Sequence, residues 1–374
     1  MLHTLLAAWL GPLKSGEYLS RRAYLEVKYT VHGEQEAHDI SEDITKYLLS
    51  FTYTDNMSDK ADDVNLTLED RAELWSFSWM PTAGSLLDLT IHTYNWAQVN
   101  EGEKVLPLGR FSIDEIEVSS APATVAIKAV SIPCNSTLRG EKKNRTWEDI
   151  TVRGIAQDIT RENEIALFWD CDDDPPLKHV EQSDQSDLAF LQKLCKDNGF
   201  ALKVSNEQVI IFDEYKFEAV DPTIVIPHPA STGVRNTELH YVDGLTGYRF
   251  RFKTRDIYGK CHVKYQAGSE KEVIEGEFSD PDKQESSHIL EVSQQVSDIA
   301  EAERLAKKKL REANKDEVTG SVELPGDFDF AAGLVIRVEN YGRLDGRYII
   351  TKVRHTISGT FKTSIDIRRC LNGY

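Results

Sequence analysis

The stretch Gly109-Arg110-Phe111-Ser112-Ile113-Asp114-Glu115-Ile116-Glu117-Val118 decides the fold, because the chain repeats its plan near the other end. Phe111, Ile113, Ile116 and Val118 run to a turn at Ser120-Ala121-Pro122, and Val125, Ile127 and Ala129 return, which is the pattern of an apolar β-hairpin. Gly346-Arg347-Tyr348 opens a second hairpin, in which Ile350 and Val353 run to Ser358-Gly359 and Ile365 and Ile367 return. Gly346 lies 237 residues after Gly109, and Ile127 and Ile365 keep that offset to within one residue. The lead-in repeats as well. Pro81 and Gly84 precede Leu87, Leu89 and Ile91, and Pro325 and Gly333 precede Leu334, Ile336 and Val338. Two β-modules of similar plan have two readings: a duplicated core without functional consequence, or an assembly part whose single chain mimics two subunits of a partner ring.

Working outward, residues 22–137 read as a first β domain. Val64, Leu66 and Leu68 alternate with Asn65 and Thr67, and Leu87, Leu89 and Ile91 alternate with Asp88 and Thr90. Such strands bury one face and wet the other, as in a sandwich or barrel. Residues 138–218 read as an α+β middle domain. Thr146 is placed to cap a helix from Trp147, with Ile150, Ile155 and Ile159 following, and a second helix starts at Ser186-Asp187 and stops at Gly199. Residues 219–237, with Pro222, Pro227, Pro229 and Gly233, read as a linker. The remaining 238–374 form the second β domain, with a polar excursion at 268–290 and an Ala-, Glu- and Lys-rich helix at 297–315, one side of which carries Ile299, Ala302, Ala306 and Leu310. Residues 1–21 read as an N-terminal arm, too short and too interrupted by Pro12 to span a membrane.

Composition narrows the function. Of 374 residues, 40% are apolar and 28% charged, ordinary for a globular protein with sizeable cores. Lys plus Arg is 44 against 62 for Asp plus Glu, and a net charge of −18 argues against a general nucleic-acid-binding surface. The five cysteines form no CxxC pair, so neither a zinc ribbon nor a disulfide framework is indicated.

Candidate chemistry is sparse. Asp170, Asp172 and Asp174, with Glu181 at the twelfth position, imitate a calcium loop, but Pro175 stands where that loop needs a glycine at positive φ, so the segment reads as a solvated acidic turn. Arg249, Arg251, Lys253 and Arg255 form a basic stripe whose expected use is intersubunit or intrasheet ion pairing. Arg139, Lys142, Lys143 and Arg145 read as a solvated loop. Cys261-His262 and Cys171 with His179 lack an orienting partner, and adjacent strand residues point to opposite faces. No HExxH, GxSxG, P-loop or GxGxxG occurs. No catalytic, cofactor or metal residues are assigned.

The run Ser186-Asp187-Leu188-Ala189-Phe190-Leu191, continuing through Leu194 to Gly199-Phe200, resembles the "SD-x-x-FL…L…G" helix of tail hub proteins. That family holds the phage late control D proteins, the central hubs of contractile baseplates, and the N-terminal part of the type six secretion valine-glycine repeat proteins. Gly109-Arg110-Phe111, Leu138-Arg139 with Thr146-Trp147, Ala302 and Ala306, Gly333 with Ile336, and Gly346-Arg347-Tyr348 stand in the expected order.

The resemblance implies an α+β, mainly β fold with two tube-like β-barrel or sandwich domains of similar plan flanking an α+β insertion. It implies a homotrimer that presents six similar domains around a channel, adapting a sixfold tail tube protein to a trimeric spike. With seven residues after Ile367, it implies that the spike is a separate chain. Baseplate wedge proteins and a tape-measure protein or DNA in the channel are the further implied partners, with no membrane insertion and assembly in the host cytoplasm. Whether the particle is an infectious phage or a phage-tail-like bacteriocin stays open. A peptidoglycan-active or carbohydrate-binding β protein, with Trp75, Trp79 and Trp96 as sugar platforms, is the alternative of a different class.

Overall fold

The computed structural model describes residues 20–131, 137–205, 208–232, 235–266, 273–283, 288–296 and 298–373. Nearly all of the expected arm at 1–21 therefore lies outside the described residues. The chain is α+β and mainly β. Its largest sheet holds fourteen strands, in which two runs follow the same strand order and differ only in the sixth strand, antiparallel to its neighbour in the first run and parallel in the second. In the first module the order is Leu48–Asn56, Asp63–Glu69, Thr124–Val130, Glu103–Ser119, Leu86–Tyr94, Arg22–Thr30. In the second it is Gly247–Phe252, Val318–Pro325, Phe361–Arg369, Gly346–Ile357, Val335–Glu339, Ile224–Pro227.

Alternation builds both cores. Val64, Leu66 and Leu68 are buried, while Asp63, Asn65, Thr67 and Glu69 share the opposite face. Val322, Ile365, Ile367 and Tyr348 do the same work in the second module, whose core also holds Ile336 and Ile350. Even the irregularities repeat. The long strand Glu103–Ser119 carries a bulge at Asp114, between Ile113 and Glu115, and Gly346–Ile357 carries one at Thr351, between Ile350 and Lys352. Just before each bulge a positive-φ glycine closes the ladder: Gly84 (φ 84°) donates to the Ile113 carbonyl at 2.9 Å and Gly333 (φ 92°) to that of Ile350 at 2.8 Å.

One joint makes the two modules a single sheet. Beyond its bulge, the second module's long strand pairs antiparallel with the first module's edge strand, from Lys352 opposite Asn56 to Ile357 opposite Phe51. Phe51 and Ile357 are buried there, and the Tyr53 and His355 rings stack at 6.1 Å, 7° from parallel.

The middle of the chain packs separately around Ile155, Ile159, Leu191, Val209 and Ile211. Strands Lys142–Thr151 and Pro176–Ser186 pair, helices Val152–Glu162 and Asp187–Asp197 pack near them, and Ala166–Asp170, Gln208–Phe212 and Ala201–Ser205 form a small sheet.

Three sequence expectations need correction. Trp147 does not open a helix: it lies on the Lys142–Thr151 strand, stacked on Phe190 at 5.3 Å, and the helix starts at Val152 with Thr151 Oγ1 accepting from the Gly154 amide. Both threonines look like caps locally, and the non-local pairing with Pro176–Ser186 decides between them. The linker 219–237 contains the wholly buried strand Ile224–Pro227, parallel to Val335–Glu339, so its prolines bound a core element rather than mark a free connection. The polar excursion 268–290 contains Val273–Ser279, which pairs with Lys260–Gln266 beneath the helix Ile299–Asn314. Its helix-facing side is narrow because Gly276 meets Ala302, where a Cβ would fall 2.6 Å from the Ala302 carbonyl carbon. On that helix Ala302, Ala306 and Leu310 are buried, but Ile299, in its first turn, is exposed.

Burial pulls the His355 imidazole down to about 4, opposed by the nearby Asp55 carboxylate, so the joint holds a neutral ring. A histidine depressed in the folded state costs stability as pH falls, because the unfolded chain takes up the proton first, near 6.5. Thermal stability should fall progressively from about pH 6.5 to 4, by on the order of 3 kcal/mol, and His355→Gln should flatten that segment. Parallel profiles for the two proteins would contradict this.

Candidate assembly surfaces

The Ser186-Asp187 motif forms a buried polar staple. Ser186 caps its helix, its Oγ accepting from the Ala189 amide. Asp187 is fully buried, and four side chains converge on it: Gln182 Nε2 (3.0 Å) and Arg145 on Oδ1, Lys143 Nζ (2.9 Å) and Asn163 Nδ2 (3.1 Å) on Oδ2. Arg145 also holds Glu162 at 2.6 Å and stands over Trp147. One carboxylate thus ties the paired strands to the start of one helix and the end of another. Burial alone would push its pKa up, but the hydrogen bonds from Gln182, Lys143 and Asn163 and the Arg145 charge outweigh that and hold it low. Lys143 and Arg145, read from sequence as part of a solvated loop, are half-buried parts of this cluster because the strand they lie on alternates toward it.

Leu188, Phe190 and Leu191 supply the apolar side of the same helix. Gly199 ends the turn at φ 72°, and it is constrained twice. A Cβ there would lie 2.7 Å from the Lys308 side chain, which crosses to place its ammonium 3.9 Å from the Phe200 ring.

The two repeated hairpin openings share geometry and differ in use. Gly109 (φ 93°) and Gly346 (φ 146°) both begin the strand segment that leads to the bulge. Phe111 and Tyr348 are both buried. Arg110 pairs across the sheet with Asp88 at 3.0 Å, whereas Arg347 donates to the Glu218 and Val220 carbonyls, tying the second module to the middle section.

The basic stripe splits. Arg249 and Arg251 lie on the Gly247–Phe252 strand, and Lys253 and Arg255 follow it. Among the described residues none of the four forms an ion pair, so the intrasheet half of that expectation fails. The reason is local: Ser321 and Thr319, uncharged, stand opposite Arg249 and Arg251.

The acidic turn is consumed by cations. Asp170 and Asp172 both hold Lys216 at 2.7 Å, Asp173 faces Arg304 and Lys308, and Asp174 accepts the Arg153 amide. Among the described residues no group of three or more His, Cys, Asp or Glu side chains is placed to hold a metal. Burial pushes the thiols of Cys195 and Cys261 up to about 12 and 11, away from nucleophilic ionisation, and His262 turns to Glu291 at 3.0 Å on the other face.

Trp75 is a core residue, fixed by the Asp70 carboxylate accepting its amide at 2.8 Å, and Trp96 is half-buried beneath Arg21. Trp79 is partly exposed beside Phe77 and Met80 and packs edge-on against the buried Trp75 at 5.4 Å, while Trp96 packs on Phe361. A cleft of about 430 Å³ between the modules is walled by Trp96, Lys104, Asp327 and Asp329. Another of about 490 Å³ lies between Tyr215, Arg304, Lys308 and Arg347.

A family model described as phage tail baseplate hub (GPD) matches residues 130–360. A probable baseplate hub protein of Escherichia phage 186 is 25% identical, over 88% of this chain and 90% of that protein. Among solved structures, a tail protein from Neisseria meningitidis MC58 superposes with a TM-score of 0.62 at 12% identity, covering 92% of this chain and 97% of that one. An E. coli component of the type VI secretion system superposes at 0.51 and 13% identity, covering 86% and 73%. At such identities the structural likenesses carry the fold alone.

Asp187→Asn should destabilise the chain by about 3 kcal/mol, because Lys143 and Arg145 lose their buried carboxylate and keep only the half-exposed Glu162. The intact carboxylate has a depressed pKa, so its contribution is full above about pH 4 and disappears as pH falls below that value. Thermal unfolding at pH 7 and pH 3 checks both statements. The gap between wild type and variant should narrow at the lower pH.

Proposed function

The chain belongs to the phage tail baseplate hub family, and we propose that three copies close into a ring that joins a sixfold tail tube to a threefold spike. The observation that carries this is the duplication: two modules with the same strand order, the same bulge and the same glycine before it. A protomer built this way presents two near-equal units per copy, which is what a threefold ring needs to face a sixfold partner. Heterologous contacts that close supply the geometry.

In this reading the parts are an arm at 1–21, a tube-like module at 22–137, a second one that takes in the strand Ile224–Pro227 and 238–374, and the middle section 138–218 standing outside the tube toward wedge or spike proteins. The sheet face opposite the core lines the channel. It carries Asp63, Glu69, Glu115 and Glu117 in the first module, but Arg249, Arg251, Lys352 and Arg354 in the second. The lining is therefore mixed in charge, and passage of DNA or a tape-measure protein rests on a polar, well-hydrated wall rather than a uniformly acidic one. The role is structural, with no reaction assigned to the chain.

Light scattering of the purified chain across a concentration series, alone and with its tube and spike proteins, tests the ring. Three times the chain mass is expected. A monomer that persists with both partners present would overturn the reading.

A further inference from the structure

The internal joint shows how one module docks on the next, and among the described residues it leaves the same two surfaces open at the chain's other module boundary. Inside the chain, the first module's edge strand Leu48–Asn56 pairs with the second module's long strand beyond its bulge. Strand for strand, the counterpart of Leu48–Asn56 is Gly247–Phe252, and the counterpart of Lys352–Ile357 is the segment from Glu115 to Ser119 and the turn after it. Gly247–Phe252 pairs on one side with Val318–Pro325, and among the described residues nothing pairs with its other side. Glu115–Ser119 pairs with Thr124–Val130, and its other side is equally open past Ser112, where Leu86–Tyr94 stops.

We infer that Gly247–Phe252 of one copy adds antiparallel to Glu115–Ser119 of a second copy, repeating between chains the joint found within one. The inference rests on the ring reading above and gives its contact residue by residue. Transferring the internal register places Arg251 opposite Glu117, as Thr54 stands opposite Arg354, and Lys253 opposite Glu115, as Asn56 stands opposite Lys352. On the other face Phe252 meets Ile116, and Phe250 meets Val118, in the place where Tyr53 stacks on His355.

Charge and exposure select this occupant. The open edge offers Arg249 and Arg251, without ion pairs among the described residues, together with Tyr248 and Phe252, about half exposed. The receiving segment offers two exposed glutamates, of which Glu115 also holds Lys128 at 2.9 Å within the chain, and Val118, 51% exposed. Opposite charges directly across an antiparallel pair stabilise it, and like charges there oppose it. Self-pairing of Gly247–Phe252 with its own copy would set arginine against arginine, which disfavours a twofold dimer through this edge. A long edge strand with exposed aromatics is also a liability that folded proteins cover. The other ends of the large sheet are short, Ala37–Asp39 and His240–Tyr241.

Directly opposed residues bring Cβ atoms to about 4.5–5.5 Å, close enough for a disulfide with little movement. The full-length double variant Glu117→Cys with Arg251→Cys, oxidised after assembly, should give a ladder of covalent dimer and trimer on a non-reducing gel. Each single variant serves as the control for the chain's own cysteines. The mismatched pair Glu117→Cys with Phe252→Cys, whose side chains point to opposite faces, should give no ladder. A native mass of three chains with no ladder, or with equal ladders from matched and mismatched pairs, would overturn this pairing and leave the ring standing. A native mass of one chain in the presence of tube and spike proteins would overturn both.

Discussion

The constraint on which the structure depends is that a β-strand edge must find a partner. Backbone amides and carbonyls along an edge are strong, obligatory hydrogen-bonding groups. Here the first module's edge is satisfied by the far half of the second module's long strand. The bulge at Thr351 makes that possible. It turns the strand away from Val335–Glu339 just where the neighbouring ladder ends and presents the next residues to Leu48–Asn56. The neutral His355 ring on Tyr53 and the buried Phe51 and Ile357 seal the seam.

The middle section is attached to this sheet by charge pairs and by the apolar cluster of Met57, Ala201, Phe212, Val335 and Ile349 rather than by strand pairing. Glu218 takes Arg311 and Arg368 together, and Arg347 holds the carbonyls at the end of the same short helix. Lys308 lies across Gly199 onto Phe200. Asp187 then keeps the section's own strands and helices in register. These are paired, largely buried charges whose removal one at a time is costly, and so they fix an orientation more than they add stability.

Much of this was legible in the sequence, for identifiable reasons. The hairpins at Gly109 and Gly346 announce themselves by alternation, and Ser186 and Gly199 bound their helix by capping chemistry that acts within a few residues. What was not legible depends on partners distant in sequence. Thr146 and Thr151 are indistinguishable as caps until Pro176–Ser186 is seen to pair with the strand holding Trp147. Ile224–Pro227 looks like a proline-rich connection until Val335–Glu339 lies beside it. Arg145 looks solvated until Asp187 is placed. Nothing in the order of residues shows that the edge at Leu48–Asn56 meets the strand at Lys352–Ile357, nearly three hundred positions later.

Amide hydrogen exchange of the free chain and of the assembled ring, compared residue by residue, tests the central claim that one joint is used twice. Amides of Phe51–Asn56 and Lys352–Ile357 should be protected in both states. The amides of Gly247–Phe252 and Glu115–Ser119 that point away from Val318–Pro325 and Thr124–Val130 should exchange freely in the separate chain and become protected on assembly. Protection that appears instead around Phe77–Met80, with the two open edges still exchanging, would contradict the account.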